Sequence, residues 1–405
     1  GRVQPPDGNH LEESGGDGSM KSNKIRLGEQ CVVTSSKRFH LSERITQGVP
    51  FYCSKEIIKK FNGEDVTECD YISEDLYKKV SNEFGVPKEN DLLITTRGTI
   101  GIPYLYKRTD RFYFADGNLT WIKDFDSNLY SKFLYYWFQS YEGRKKFEAL
   151  AKGTAQKAVP ISGIKTLEIE LPSLKSQKRI ADILSAYDDL IENNRKQIKL
   201  LEEAAQRLYK EWFVNLRFPG HENTKIVDGV PEGWHRGTIG QIAEFKRGRT
   251  ITKAQVKEGN VPVIAGGLEP AYYHNVANTK APVITISASG ANAGFVRLYG
   301  VDVFASDCSF VDGLGTESLF FVYEFLKESK VSIDQLQKGS AQPHVYAKDI
   351  NAMKITIPEK EYLERFDRYV KVYFNKIKTL QGQNERLKTA RDLLLPKLMS
   401  GEAEV

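Results

Sequence analysis

From Ile180 to Trp212, residues recur at alternating steps of four and three: Ile180, Leu184, Tyr187, Ile191, Asn194, Ile198, Leu201, Ala205, Leu208 and Trp212. Only Asn194 breaks the apolar run. This is the a/d spacing of a coiled-coil seam, held for more than four heptads. The spacing predicts one straight helix just past Pro172, of roughly 39 residues and about 58 Å at 1.5 Å per residue.

The same stretch returns 186 residues later, where Pro358 repeats Pro172. The second seam is Phe366, Val370, Tyr373, Ile377, Leu380, Asn384, Leu387, Arg391, Leu394 and Leu398, again with one asparagine. Upstream, Gly153-Thr154-Ala155-Gln156 returns as Gly339-Ser340-Ala341-Gln342, and Ile164 and Ile169 as Ile350 and Ile355. The chain is an internal duplication, each copy a mixed segment followed by a long helix. If a pseudo-two-fold axis relates the copies, the helices run antiparallel and seam residue n faces residue 578 − n. Ile180 then meets Leu398, Leu184 meets Leu394, Tyr187 meets Arg391, Ile191 meets Leu387 and Asn194 meets Asn384. A parallel pairing would set each asparagine against an apolar residue, costing about 1–3 kcal/mol per unsatisfied amide. Arg391 is expected to pack its stem on Tyr187 with its head in solvent. Pro396 predicts that the second helix frays near Leu394.

A chain of 405 residues accommodates two or three domains. The four cysteines, Cys31, Cys53, Cys69 and Cys308, have no paired spacing and read as reduced thiols. No apolar run approaches the ~18 residues of a membrane span, and no signal peptide is read. Residues 1–19 are rich in Gly, Pro and acids and read as a tag ahead of a native start at Met20. They carry a net charge of −3 within an overall +5, leaving +8 for the rest. That balance is compatible with nucleic acid without establishing it.

Along the first mixed segment, Ile25 to Glu29 reads as strand and turn. Asp91 to Thr95 reads as a strand followed by the turn Arg97 to Gly101, and further strands are expected through Tyr104 to Tyr106, at Phe114 to Asp116 and at Leu119 to Ile122. Lys132 to Leu150 reads as helix, with Phe133, Trp137, Tyr141 and Phe147 on its buried face. In the second copy, Ile239-Gly240-Gln241 repeats Leu27-Gly28-Glu29, and Val283 to Gly294 parallels Ile94 to Gly101 with an insertion. Phe304 to Asp307 parallels Phe114 to Asp116. Leu319 to Leu326 and Ile333 to Gln337 read as short helices.

These features resemble the specificity subunit of a type I restriction–modification system. The resemblance rests on Gly153 to Gln156, Leu171-Pro172, Gln177-Lys178-Arg179-Ile180-Ala181, Trp212-Phe213-Val214 with Arg217 to Gly220, Pro231-Glu232-Gly233-Trp234, and Leu394 to Glu402. Tyr362 to Phe366 departs from the first copy's Ser176 to Ile180. The resemblance implies an α+β chain: two α/β target-recognition domains separated by two long antiparallel helices in a coiled coil, with pseudo-two-fold duplication. The expected boundaries are 20–160 for the first recognition domain, 161–214 for the central region with its helix, 215–345 for the second recognition domain and 346–405 for the distal region. Each domain would read half of a split, asymmetric DNA site in a host-defence system, and the helices would space the readers and dock methyltransferase subunits, two of them. S-adenosylmethionine would belong to the methyltransferase, ATP and Mg to the restriction and translocase subunit, and no cofactor to this chain. The implied location is cytoplasmic.

The residues agree with a non-catalytic role. There is no Asn-Pro-Pro-aromatic motif, no Gly-x-Gly-x-x-Gly loop and no Walker lysine, and the six histidines show no metal-ligand pairing. DNA reading falls to long polar side chains on loops. In the second domain the candidates are Lys246, Arg247, Arg249 and Lys253, following an expected strand Ile242 to Phe245. In the first they are Lys37, Arg38, Arg97, Arg108 and Arg111. Gln156, Lys157, Gln342 and His344 sit in the repeated junction. For the basic clusters the plain alternative is a solvated turn, and for the two glutamines it is junction packing. For the whole chain it is a coiled-coil adaptor binding protein, or an enzyme with an unrecognised site; an adaptor's affinity would not fall steeply with salt.

Overall fold

The computed structural model describes residues 23–153, 157–339 and 342–403. These form two compact units. Unit 1 combines the chain up to Glu192 with the chain from Arg386 onward, and unit 2 runs from Asn193 to Glu385.

The first unit opens with β1 (Asn23–Arg26) and α1 (Leu27–Gln30), then β2 (Val32–Thr34), β3 (Val49–Tyr52), α2 (Ser54–Asn62), β4 (Asp70–Ile72) and α3 (Glu74–Glu83). It continues with β5 (Leu92–Thr95), β6 (Pro103–Leu105), β7 (Tyr113–Phe114), β8 (Leu119–Lys123), α4 (Ser131–Gln139), α5 (Tyr141–Ala149), α6 (Ile161–Lys165) and β9 (Glu168–Leu171). Helix α7 (Leu174–Tyr209) runs into a π-turn at Lys210–Val214. The second part of the chain holds β10 (Ile226–Val227), β11 (Val230–Pro231), β12 (His235–Thr238), β13 (Lys246–Arg247), β14 (Val261–Ile264), β15 (Tyr272–His274), β16 (Val283–Ser287), β17 (Val296–Tyr299), β18 (Phe304–Ala305) and β19 (Cys308–Asp312). Helices α8 (Leu319–Glu328), α9 (Lys330–Gln335) and α10 (Ala347–Asn351), strand β20 (Lys354–Ile357) and α11 (Lys360–Ser400) complete it.

The duplication is visible sheet by sheet. Order β2-β8-β5-β6 matches β13-β19-β16-β17, order β4-β3-β7 matches β15-β14-β18, and pair β1-β9 matches β12-β20. Gly28 and Gly240 are duplicated for a steric reason. A Cβ on Gly28 would stand 2.9 Å from Lys165, and one on Gly240 3.1 Å from Asn351, its counterpart at the repeat offset. Helices α2 and α3 have no counterpart among the described residues of the second unit. The sequence reading missed both, although Ser73 caps α3 and Gly63 ends α2 in the left-handed region. The helix expected over 132–150 is two helices. Ser140 breaks it, its hydroxyl accepting from Gly143 N–H at 3.0 Å, and Tyr141 is turned out to solvent, against expectation.

In each unit the long helices lie antiparallel and every seam position is buried or half-buried. In unit 1, Ile180 and Leu184 share a core with Leu395 and Leu398, and Leu394 packs on it. In unit 2, Trp212 meets Phe366 with ring centroids 6.0 Å apart, the pairing that 578 − n requires. Asn194 Nδ2 donates to Asn384 Oδ1 at 2.9 Å, so the two amides satisfy each other inside the seam.

Two expectations about the second helix are corrected. It runs through Pro396 to Ser400 without stopping at Leu394. Burial of Leu395 and Leu398 offsets the one hydrogen bond that proline removes. The Arg391 head is not left in solvent: it is ion-paired with Asp188 and, at 2.9 Å, with Asp392. Asp188 also accepts from the Tyr136 hydroxyl at 2.7 Å. Among the described residues no helix is long and apolar enough to cross a membrane.

Candidate nucleic-acid interface

In unit 1 the candidate cations gather where β5 ends. Gly101 N–H closes the turn on Thr95 O at 2.8 Å, and Gly98, at φ 71°, lies in the left-handed region with open space around it. The exposed Arg97 stands on this turn. Its backbone pairs with Ala158, which places exposed Lys157 beside it. The guanidinium packs over Gly117, where an added Cβ would meet it at 3.9 Å. Arg38 lies 4.0 Å from Asp116 on the same connection, along a cleft lined also by exposed His40 and Ser42 and by half-buried Arg44, which Asp70 holds at 2.7 Å. Lys37 reaches over the Phe84 ring, 4.5 Å from its centroid.

The remaining candidates of this unit lie elsewhere. Arg111 is held by Glu74 through two hydrogen bonds, at 2.9 and 2.5 Å, and stacks over Tyr77. The guanidinium keeps the Glu74 carboxyl below the usual range. Arg111 is therefore committed to structure. Arg108 is exposed on the β6–β7 turn, whose Lys107 pairs with Glu192 of α7. Gln156 lies outside the described residues.

In unit 2 the strand expected over Ile242 to Phe245 is absent. The strand is Lys246–Arg247 itself, paired with Ser309 and Phe310. Gly248 then passes so close to β18 that a Cβ would stand 2.3 Å from Ser306 O, which only glycine permits. Arg249 N–H bonds Ala305 O at 3.0 Å and its side chain points out, exposed. Arg247 is ion-paired with Asp307, whose second oxygen accepts from the Ser289 hydroxyl. Lys253 is exposed on a single 3-10 turn. His344 pairs its backbone with Ser289 and stacks on Tyr346 at 6.1 Å. Gln342 is exposed rather than packed into the junction.

Hydrogen bonds align the two corners residue by residue. Gly101 N–H to Thr95 O repeats as Gly294 N–H to Ser287 O, both 2.8 Å. Val159 N–H to Thr96 O repeats as Val345 N–H to Ala288 O, both 3.0 Å. Ser289 thus holds the place of Arg97, and His344 that of Ala158. On the edge strand, Thr34 faces Trp121 as Lys246 faces Phe310, which makes Lys37 the counterpart of Arg249. One sequence alignment is corrected by a residue: Ala115 N–H bonds Tyr52 O as Ser306 N–H bonds Ile264 O, so Phe114 corresponds to Ala305. Asp116 and Asp307 were missed because a search for cations passes over the acids that hold them. A search for acids on the matching turns would have found them.

Each unit thus presents, at one end of its four-stranded sheet, a corner of exposed basic side chains on backbone held by glycine turns. Such a surface has the long flexible cations that contact with phosphates and base edges requires. Among the described residues no group of three or more His, Cys, Asp or Glu could hold a metal ion.

The model of the type I restriction modification DNA specificity domain matches residues 21–203 and 231–389. The MjaIX type I restriction enzyme specificity subunit of Methanocaldococcus jannaschii is 28% identical over 300 residues, covering 68% of this chain and 69% of the relative. The HindI specificity subunit of Haemophilus influenzae is 23% identical over 359 residues, covering 67% and 77%. In fold, the chain is similar to the crystal structure of a type I restriction–modification system S subunit from M. genitalium, with TM-score 0.61 and 20% identity over 96% of this chain and 98% of that one. With two matched domains covering most of its length, the chain belongs to the type I restriction–modification DNA specificity family.

Proposed function

We propose that this chain is the sequence-reading subunit of a type I restriction–modification enzyme, active on DNA in the cytoplasm and without catalytic chemistry of its own. The observation that carries the reading is the pair of matched corners with unmatched side chains: Arg97, Lys37 and Ala158 in one unit stand where Ser289, Arg249 and His344 stand in the other. Equal backbone with unequal readers suits two half-sites of different sequence. The half-sites are centred about one helical turn apart, ~34–36 Å. The long helices dock two methyltransferase subunits, which supply S-adenosylmethionine, and the restriction subunit brings ATP and Mg. Arg249→Ala is expected to weaken specific DNA binding of the assembled enzyme by about 1–3 kcal/mol and to relax one position of the second half-site. Methylome sequencing of the host checks the motif, and a continuous or palindromic motif defeats this reading.

A further inference from the structure

One helix of each recognition domain carries one sequence frame, Phe133-Leu134-Tyr135-Tyr136-Trp137 in α4 and Phe321-Val322-Tyr323-Glu324-Phe325 in α8. Tyr136 and Glu324 are therefore counterparts. In unit 1 Tyr136 donates to Asp188, and Asp188 holds the Arg391 guanidinium. The repeat offset puts Phe374 in the place of Asp188 and Ala205 in that of Arg391. Phe374 stacks on Phe320 at 5.0 Å and meets Tyr323 edge-on at 5.5 Å. The arginine's place holds only a methyl group.

Glu324 remains, 2% exposed. No hydrogen bond or ion pair reaches its carboxylate among the described residues. It lines a cleft between α7 and α8 with Glu202, Glu203, Gln206 and Tyr323, and Lys199 and Lys327 stand there too. Gln206 and Lys210 are already engaged by Glu328, at 3.2 and 3.0 Å. Burial pushes the Glu324 carboxyl up to about 8; the Lys327 charge offsets part of that and the Glu202 charge adds to it. A cation seated directly on the carboxyl would favour its charged form.

We propose that this cleft receives a lysine or arginine side chain of a bound partner protein, which does in unit 2 what Arg391 does within unit 1. Resting on the function proposed above, the partner is a methyltransferase subunit. The lysines already present argue against a free divalent ion, which would face their ammonium groups; a tethered side chain is aimed by the rest of its interface.

The test is Glu324→Gln in the full chain, with affinity for the purified methyltransferase subunit measured by calorimetry. The substitution keeps the shape and removes the charge, so the fold is expected to hold or gain stability. Affinity is expected to fall about tenfold or more, because a buried charge pair loses one member. Unchanged affinity overturns the cleft while leaving the wider reading intact. A wild-type chain that binds no methyltransferase subunit overturns the reading and this inference together. Saturable Mg2+ uptake by the isolated chain, lost in Glu324→Gln, overturns it in favour of an ion.

Discussion

Each unit fastens the start of one recognition helix, α4 or α8, to a long helix through one buried polar side chain, and the two units choose opposite chemistries. In unit 1 it is Gln177, 1% exposed: its carbonyl accepts from Tyr130 N–H at 2.9 Å, and its amide donates to Asn128 O and Pro172 O at 2.8 and 3.0 Å. In unit 2 it is Asp367, which accepts from Phe320 and Phe321 N–H at 3.1 and 2.9 Å. The amide is neutral at every pH. The carboxylate completes a helix N-terminus, where anions are favoured, but burial outweighs those bonds and pushes it up to about 7. The two anchors are not repeats of one position, since the repeat offset puts Leu363 in the place of Gln177 and Ala181 in that of Asp367; the same fastening is made from different turns with different chemistry.

The contrast is open to direct attack. Gln177→Glu would aim a carboxylate at two carbonyl oxygens, and is expected to destabilise unit 1 by about 3–5 kcal/mol, with unit 2 unchanged by hydrogen exchange. Asn194→Leu alone leaves Asn384 unpaired and is expected to cost about 1–3 kcal/mol. Replacing both asparagines is expected to raise the melting temperature above wild type, and a lower value would show that the amides do more than pair. The smallest effect is in pH. Asp367 and Glu324, the latter pushed to about 8 by burial, bind protons more tightly folded than unfolded. Unit 2 is therefore most stable below the ordinary carboxylate range. It loses stability as pH rises from about 4 to about 8, then levels off. Glu324→Gln is expected to flatten about half of that slope, Asp367 carrying the rest, and to add about 1–2 kcal/mol at pH 8.5. A slope of equal size in both units would erase the distinction.

The seam was legible because a heptad is a local pattern whose meaning does not depend on its surroundings. Its mirror register, and with it the Asn194–Asn384 bond, followed from duplication alone. Arg391 was misread because its partner Asp188 stands one place off the seam, where periodicity carries no information. The reading corners were legible as glycine turns but not as sites. Arg111 looks as free in the sequence as Arg249, and only the fold reveals that Glu74 holds the first. The alignment of Phe114 failed because the connection to the next strand is four residues long in one unit, 115–118, and two in the other, 306–307.

Unit 2 is an unbroken run of chain, 193–385, whereas unit 1 needs the last helix turns, with Leu395 and Leu398 in its core. Synthesis therefore delivers the units in inverted order. The recognition domain made first waits, its apolar helix face uncovered, while the whole second unit emerges and can close. Only when the ribosome has passed Leu398 does the first unit obtain its missing wall. The usual N-terminal-first order of folding is therefore expected to be reversed, with unit 2 closing before Leu395 and Leu398 complete the core around Ile180 and Leu184.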